Sequence, residues 1–82
     1  MKILGSATVL APAATKFNTS TSVYVFNTDT AEGILTLVDD ADSTIGTVYI
    51  GPRSGLEISL ELGQGLRGPI TMYGTQIAST GY

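Results

Sequence analysis

The clearest pattern in the chain is an alternation with a period of two. Leu56, Ile58, Leu60 and Leu62 fall on one side, and Glu57, Ser59 and Glu61 on the other. Side chains of a strand point alternately to its two faces, so this spacing predicts a half-buried strand over 56–62 with the leucine face inward. Other runs have strand length and strand chemistry. Ser22 to Thr28 and Thr44 to Ile50 are rich in β-branched and aromatic residues, Gly33 to Asp39 carries Ile34, Leu35, Leu37 and Val38, and Ile70 to Ala78 closes the series. Ile3 to Leu10 reads as a first strand. The segments between them hold turn chemistry: 29–33, Asp39-Asp40-Ala41-Asp42-Ser43, Gly51-Pro52-Arg53-Ser54-Gly55 and the glycine-rich 63–69. No stretch has a helical period. Strand runs of about seven residues separated by turns of about five predict antiparallel neighbours joined by hairpins. The expected fold is all-β: a small antiparallel β-sandwich or barrel of about six strands, forming a single domain over 1–82.

Two segments depart from that simple picture. Residues 11–22 (Ala-Pro-Ala-Ala-Thr-Lys-Phe-Asn-Thr-Ser-Thr-Ser) have no apolar period and read as an extended arm or long loop, with Phe17 its only large apolar group. The strands at 23–26 and 34–38 are apolar on both faces. A two-layer sandwich has one interior, so each strand should offer it one face. If Val23 and Val25 point inward, Tyr24 and Phe26 need cover from the arm or from another chain.

Composition sharpens this. Of 82 residues, 43% are hydrophobic but only 13% are charged, and Ser, Thr and Gly take the place of the missing charge. Short polar side chains are cheap to order and desolvate, which suits a surface covered by neighbours. The net charge is −3, with Lys2, Lys16, Arg53 and Arg67 scattered singly, so nucleic-acid binding by charge neutralisation is not expected. No window is long and apolar enough for a membrane helix, and no membrane partner is expected. Lys2, the run to Leu10 and Ala11-Pro12-Ala13 loosely have the layout of a secretory leader. Gly5, Ser6 and Thr8 interrupt its apolar core, and the strand reading is preferred. Asn18-Thr19-Ser20 matches a glycosylation sequon, taken as chance in a chain without a convincing leader.

Chemistry is scarce. There is no cysteine and no histidine, which removes disulfides, thiol nucleophiles, and the commonest general base and neutral metal ligand. Serines and threonines therefore have no imidazole to activate them, and Lys2 and Lys16 are the only lysines. Gly63-Gln64-Gly65-Leu66-Arg67-Gly68 fits G-x-G-x-x-G, but Pro69 and a strand pattern follow where a dinucleotide site needs a helix. A hairpin loop with Leu66 and Arg67 at an exposed tip, available to a partner, is the preferred reading. Asp39, Asp40 and Asp42 offer clustered oxygens, yet the glycine and glutamate of a calcium loop are missing at the required spacing, which favours a solvated acidic turn. Glu57 and Glu61 share a face but lie roughly 13 Å apart along a strand, too far for paired carboxylates of glycoside hydrolysis. The expectation is no enzyme, no catalytic residue, no cofactor and no metal. Phe17, Tyr24, Phe26, Leu66 and Arg67 are the candidate protein-interface residues.

A resemblance gives this a direction. The opening Met1-Lys2-Ile3-Leu4-Gly5-Ser6-Ala7-Thr8, the Ser/Thr/Asn-rich stretch before Val23-Tyr24-Val25-Phe26-Asn27-Thr28, Ile45-Gly46-Thr47-Val48-Tyr49-Ile50-Gly51-Pro52, the strand with Glu57 and Glu61, and a Thr-containing final strand together resemble the small all-β virion accessory proteins of tailed marine bacteriophages, cyanophages especially. The likeness covers most of the chain and rests on order and texture. The glycine-rich 63–69 departs from it. It implies a non-enzymatic virion structural protein on the capsid surface: a decoration or cement protein, homo-oligomeric, bridging subunits of the major capsid protein or bound to another virion protein. The alternatives are a neck, tail or fibre component, and a small carbohydrate-binding β module that stacks sugars on Tyr24, Tyr49 or Tyr73.

Overall fold

The computed structural model describes residues 2–17 and 22–78. Along them run β1 (Lys2–Ile3), β2 (Thr8–Val9), β3 (Thr15–Lys16), β4 (Ser22–Asn27), β5 (Gly33–Val38), β6 (Thr44–Ile50), β7 (Gly55–Ser59), β8 (Gly65–Arg67) and β9 (Met72–Ala78). They form two antiparallel sheets. The first has the order β1-β9-β4-β7, with β2 also on β9, and the second has the order β3-β8-β5-β6. The fold is thus all-β, and of the two expected forms it is the sandwich and not a closed barrel.

The core lies between the sheets. Leu10, Val23, Val25 and Met72 come from the first sheet and its flank, and Leu35, Ile50 and Leu66 from the second, with Leu60 completing the cluster. Alternation in β4 drives this. Val23 and Val25 are buried, while Tyr24 and Phe26 turn to the outer face. Gly74 on β9 stands opposite Val25, and a Cβ there would lie 3.1 Å from Leu10 and Val23 and 3.3 Å from Phe17. The missing side chain lets these three close over the strand. The total accessible surface is 4665 Å², close to the roughly 4,700 Å² that scaling gives a folded monomer of this mass. Openings in the sandwich are therefore local.

The connectivity differs from a series of hairpins. Only β5 and β6 are both consecutive and paired; β4 pairs with β7 and β9, and β5 also pairs with β8. Apart from β1 and β2, which both lie on β9, the other successive strands alternate between the sheets. The first strand, expected over 3–10, is split into β1 and β2, which pair with the two ends of β9. The arm is partly built into the fold. After a cis Ala11–Pro12 peptide, Thr15 and Lys16 pair with Leu66 and Gly65, and Phe17 packs against the core. Asn18, Thr19 and Ser20, the sequon, lie outside the described residues. The segment 63–69 is not a loop throughout, because β8 runs through it.

The leucine face of 56–62 holds for only part of its length. Leu56 and Ile58 stand in register with Val25 and Val23, but Leu56 is 38% exposed and Ile58 half-buried at this sheet edge, while Leu60 is buried. Leu62 is 74% exposed. The strand ends at Ser59, and a turn closes in which Glu61 N–H donates to Gln64 Oε1 at 2.8 Å and Gln64 N–H to the Glu61 carbonyl at 3.1 Å. Gly63 takes φ +89° inside that turn, a conformation that a residue with a Cβ rarely adopts. Leu62 is carried outward by the turn.

Candidate interaction surfaces

Three surfaces of the sandwich have features that ordinary solvated faces lack. The outer face of the first sheet carries a row of large side chains set by register. Val9 stands opposite Tyr73, Tyr73 opposite Phe26, and Phe26 opposite Gly55. The next row runs Thr75, Tyr24, Glu57. Tyr24 fills the gap left by Gly55, its hydroxyl end lying where a Cβ of residue 55 would be. Tyr73 and Val9 are exposed, and Tyr24 and Phe26 half-buried. Side chains of this size on one row form a continuous apolar patch. Within the molecule, which is 31 × 31 × 18 Å, this patch belongs to a broad, sheet-based face.

The second surface is the edge formed by β6. Beside it, the sandwich opens into an apolar cleft of about 230 Å³ lined by Leu35, Leu37, Gly46, Val48, Ile58 and Leu66. The third is a shallow hollow of about 480 Å³ whose lining includes Tyr49, Ile34 and Pro69 together with Asp29, Glu32 and Thr71.

The candidate interface residues do not gather on one surface. Tyr24 and Phe26 lie on the outer face of the first sheet, in adjacent rows. Phe17 is half-buried and packs against the chain's own core. Leu66 is fully buried in β8 opposite Leu37, so its placement at an exposed tip is corrected. Arg67 is half-buried on the outer face of the second sheet, opposite Thr36. The reason is one of local chemistry. The glycines around Leu66 resemble a loop in sequence, but Gly65 is small because a Cβ there would lie 2.7 Å from the Thr15 carbonyl oxygen and 2.6 Å from Lys16 Cδ. Close strand approach, and not a flexible tip, sets that glycine.

The polar groups are committed to structure. Asp39 Oδ1 accepts from the N–H groups of Ala41 and Ser43, both at 2.9 Å, which closes the acidic turn. Lys16 Nζ pairs with Asp42 at 3.1 Å and donates to the Asp40 carbonyl at 3.3 Å. Its stem crosses Gly65 on the way. Glu57 lies on the outer face of β7 and Glu61 beyond the end of that strand, so the two do not converge. Among the described residues, no group of three or more carboxylates forms a cation site, and no helix is long and apolar enough to cross a membrane.

Asn27 is a residue that the pattern of the sequence did not single out. It is fully buried at the end of β4. Its Nδ2 donates to the carbonyls of Ala31 at 3.0 Å, and of Ile50 and Gly51 at 3.3 Å each. Its Oδ1 accepts from Asp29 N–H at 3.1 Å and Thr71 Oγ1 at 3.3 Å. One side chain thereby ties three connections together at one end of the sandwich. The available signal was an asparagine closing an apolar strand, with an aspartate two residues on.

No family model matches the chain, and neither a curated protein nor a solved structure matches it.

Proposed function

We propose that the chain is a non-enzymatic structural subunit of a virion, a decoration or cement protein that docks on the capsid surface and bridges subunits of the major capsid protein. The observation that carries this reading is the outer face of the first sheet, where Val9, Tyr73 and Phe26 form one row and Tyr24 stands in the next. It is apolar, broad and sheet-based, and cover by a protein surface would remove it from water. The mechanism is mechanical: contact area buried across a seam between subunits adds to the work of separating them. The likeness of the sequence to small all-β virion proteins selects the capsid among possible assemblies.

The test is protein identification and stoichiometry in purified particles, followed by rebinding of Tyr73→Glu to particles stripped of the chain. A copy number matching the major capsid protein in fixed ratio, with rebinding lost in the folded variant, supports the reading. A few copies per particle moves the chain to the neck, tail or fibre. Wild-type rebinding by Tyr73→Glu rejects the outer row as the docking face. A second reading, a carbohydrate-binding module, is favoured by the hollow whose lining combines Tyr49 and Pro69 with Asp29, Glu32 and Thr71. Glycan binding by the isolated chain that is lost in Tyr49→Ala would establish it instead.

A further inference from the structure

The edges of the two sheets are not alike. β1, β2 and β3 are two-residue pieces, and β3 carries Lys16. β7 has Glu57 at its centre. Short length and charge are the usual devices that stop a sheet edge from pairing with another chain. β6 is different. It has seven residues, Thr-Ile-Gly-Thr-Val-Tyr-Ile, with no charge and no proline, and six of them are exposed. Ile45 is 52% exposed, Val48 40% and Tyr49 64%. Among the described residues no strand pairs with its outer side.

We infer that β6 pairs antiparallel with β6 of a second copy across a two-fold axis at Thr47. The inference is independent of capsid docking, which uses the outer face of the other sheet. Three observations fix it. First, the pairing stretch is bounded on both sides. The ladder with β5 slips between Leu37 and Val38, which leaves Ile45 as the extra residue of a bulge, and Ile50 is buried ahead of the Gly51-Pro52 turn. The exposed residues from the bulge at Ile45 to Tyr49 are the stretch offered to a partner, and their centre is Thr47.

Second, the stretch is complementary to itself in that register. Ile45 meets the second copy's Tyr49 on the outer face, Thr47 meets Thr47, and Gly46 meets Val48 on the inner face. The Ile45–Tyr49 and Gly46–Val48 contacts each occur twice and the Thr47–Thr47 contact once, on the axis, as a two-fold interface requires. No like charges oppose each other.

Third, the pairing closes the cleft. A Cβ on Gly46 would have nothing within 4 Å, so the chain's own packing does not demand a glycine in this strand. Gly46 stands opposite Leu37 on the cleft wall. The second copy's Val48 takes the adjacent place in that row and covers the cleft mouth. Covering the exposed parts of Ile45, Val48 and Tyr49 along the seam removes up to roughly 700 Å² from water between two copies, which places the pair among weak, concentration-dependent interfaces.

The experiment uses the full chain. Light scattering and sedimentation are measured from about 1 to 500 µM, together with Thr47→Lys, Thr47→Glu and their one-to-one mixture, each checked for fold by far-ultraviolet circular dichroism. The expected result is a concentration-dependent dimer whose dissociation constant rises at least about tenfold in each variant alone, because like charges then face each other, and returns in the mixture. The register has its own readout, since the native chain has no cysteine. Residues directly opposite are about 4.5–5.5 Å apart at Cα, within disulfide reach. Thr47→Cys should therefore cross-link under mild oxidation. Ile45→Cys should not, because its two copies are offset by four residues, roughly 13 Å. A chain that stays monomeric at the highest concentration, with Thr47→Cys uncross-linked, overturns the inference and leaves the edge to a strand of a different protein. A dimer indifferent to Thr47→Lys, or one cross-linked better through Ile45→Cys, overturns it as well.

Discussion

Replacing Asn27 by alanine should be among the most damaging single changes in this chain, and the structure sets the size of the effect. The side chain donates to the carbonyls of Ala31, Ile50 and Gly51 and accepts from Asp29 N–H and Thr71 Oγ1. The hydrogen bond to Ile50 is buried, and those to Ala31, Gly51, Asp29 and Thr71 are half-buried. Water can replace some of the outer partners, which leaves about two polar groups stranded. At about 1–3 kcal/mol for each buried group without a partner, the loss is about 2–5 kcal/mol. In a domain of this size 1 kcal/mol moves the melting temperature by about 4–8 °C, so a fall of more than about 10 °C is expected. The measurement is urea and thermal unfolding in the Thr47→Lys background at one fixed concentration, so that self-association does not add to the apparent stability. Asn27→Asp separates donation from shape. It keeps both acceptor roles but places a carboxylate against three carbonyls, so at neutral pH it should cost at least as much as alanine. Burial raises the affinity of such a carboxylate for a proton in the folded state. The folded state then takes up a proton more readily than the unfolded one, and stability recovers as pH falls. A loss under about 1 kcal/mol in Asn27→Ala, or a silent Asn27→Asp, would refute the reasoning that donated bonds hold these connections together.

Two further predictions follow from the ends of elements. Leu60→Ala should cost about 2–5 kcal/mol and Leu62→Ala less than about 1 in urea unfolding, because the turn that follows β7 buries the first and exposes the second; equal costs would mean that the alternation continues past Ser59. Gly65→Ala should cost about 1–3 kcal/mol, since its Cβ would press on the Thr15 carbonyl, and should speed amide exchange at Thr15 and Lys16; unchanged exchange would show that β3 does not depend on this close approach.

The sheet-forming character of the chain was legible because it is local. Val23 and Val25 alternate with Tyr24 and Phe26, Asp and Gly clusters mark the turns, and β4, β5, β6 and β9 form within about two residues of the runs that predict them. Pairing was not legible, because nothing local in Ser22–Asn27 says that its neighbours are β7 and β9 and not the strand that follows it. Two glycines carried opposite meanings under the same letter. Gly63 makes a turn by its backbone angle, while Gly65 lies in a strand because another backbone approaches it. Reading both as loop hid β8 and placed Leu66 outside when it is in the core. The core contacts of Phe17 were hidden for a related reason. An aperiodic segment gives no face, and its docking against Gly74 depends on a strand more than fifty residues away. For the surfaces, the doubly apolar character of β4 did point to its outer face. The role of β6 was not visible, because edge position belongs to topology and not to composition.

The two surfaces bear on each other through symmetry. An antiparallel strand pair related by a two-fold axis has that axis perpendicular to the sheet, so the inner face of one copy continues the inner face of the other. The four-stranded sheets that contain β6 then join into one sheet of eight strands. Both copies of the first sheet lie on the same side of it, and both outer faces with Val9, Tyr73, Phe26 and Tyr24 point the same way. Sheet twist tilts them relative to each other, by roughly 20–25° for each strand crossed, so they are splayed and not coplanar. A pair built this way carries two docking faces set by a rigid framework. On a regular array of identical sites, the second contact forms at high effective concentration once the first is made, and affinity rises without any new contact within either face. A weak self-interface and a weak docking face can thus act together as a strong clamp. The same geometry makes the clamp selective, because only two sites whose spacing and tilt match the splayed pair can be held at once.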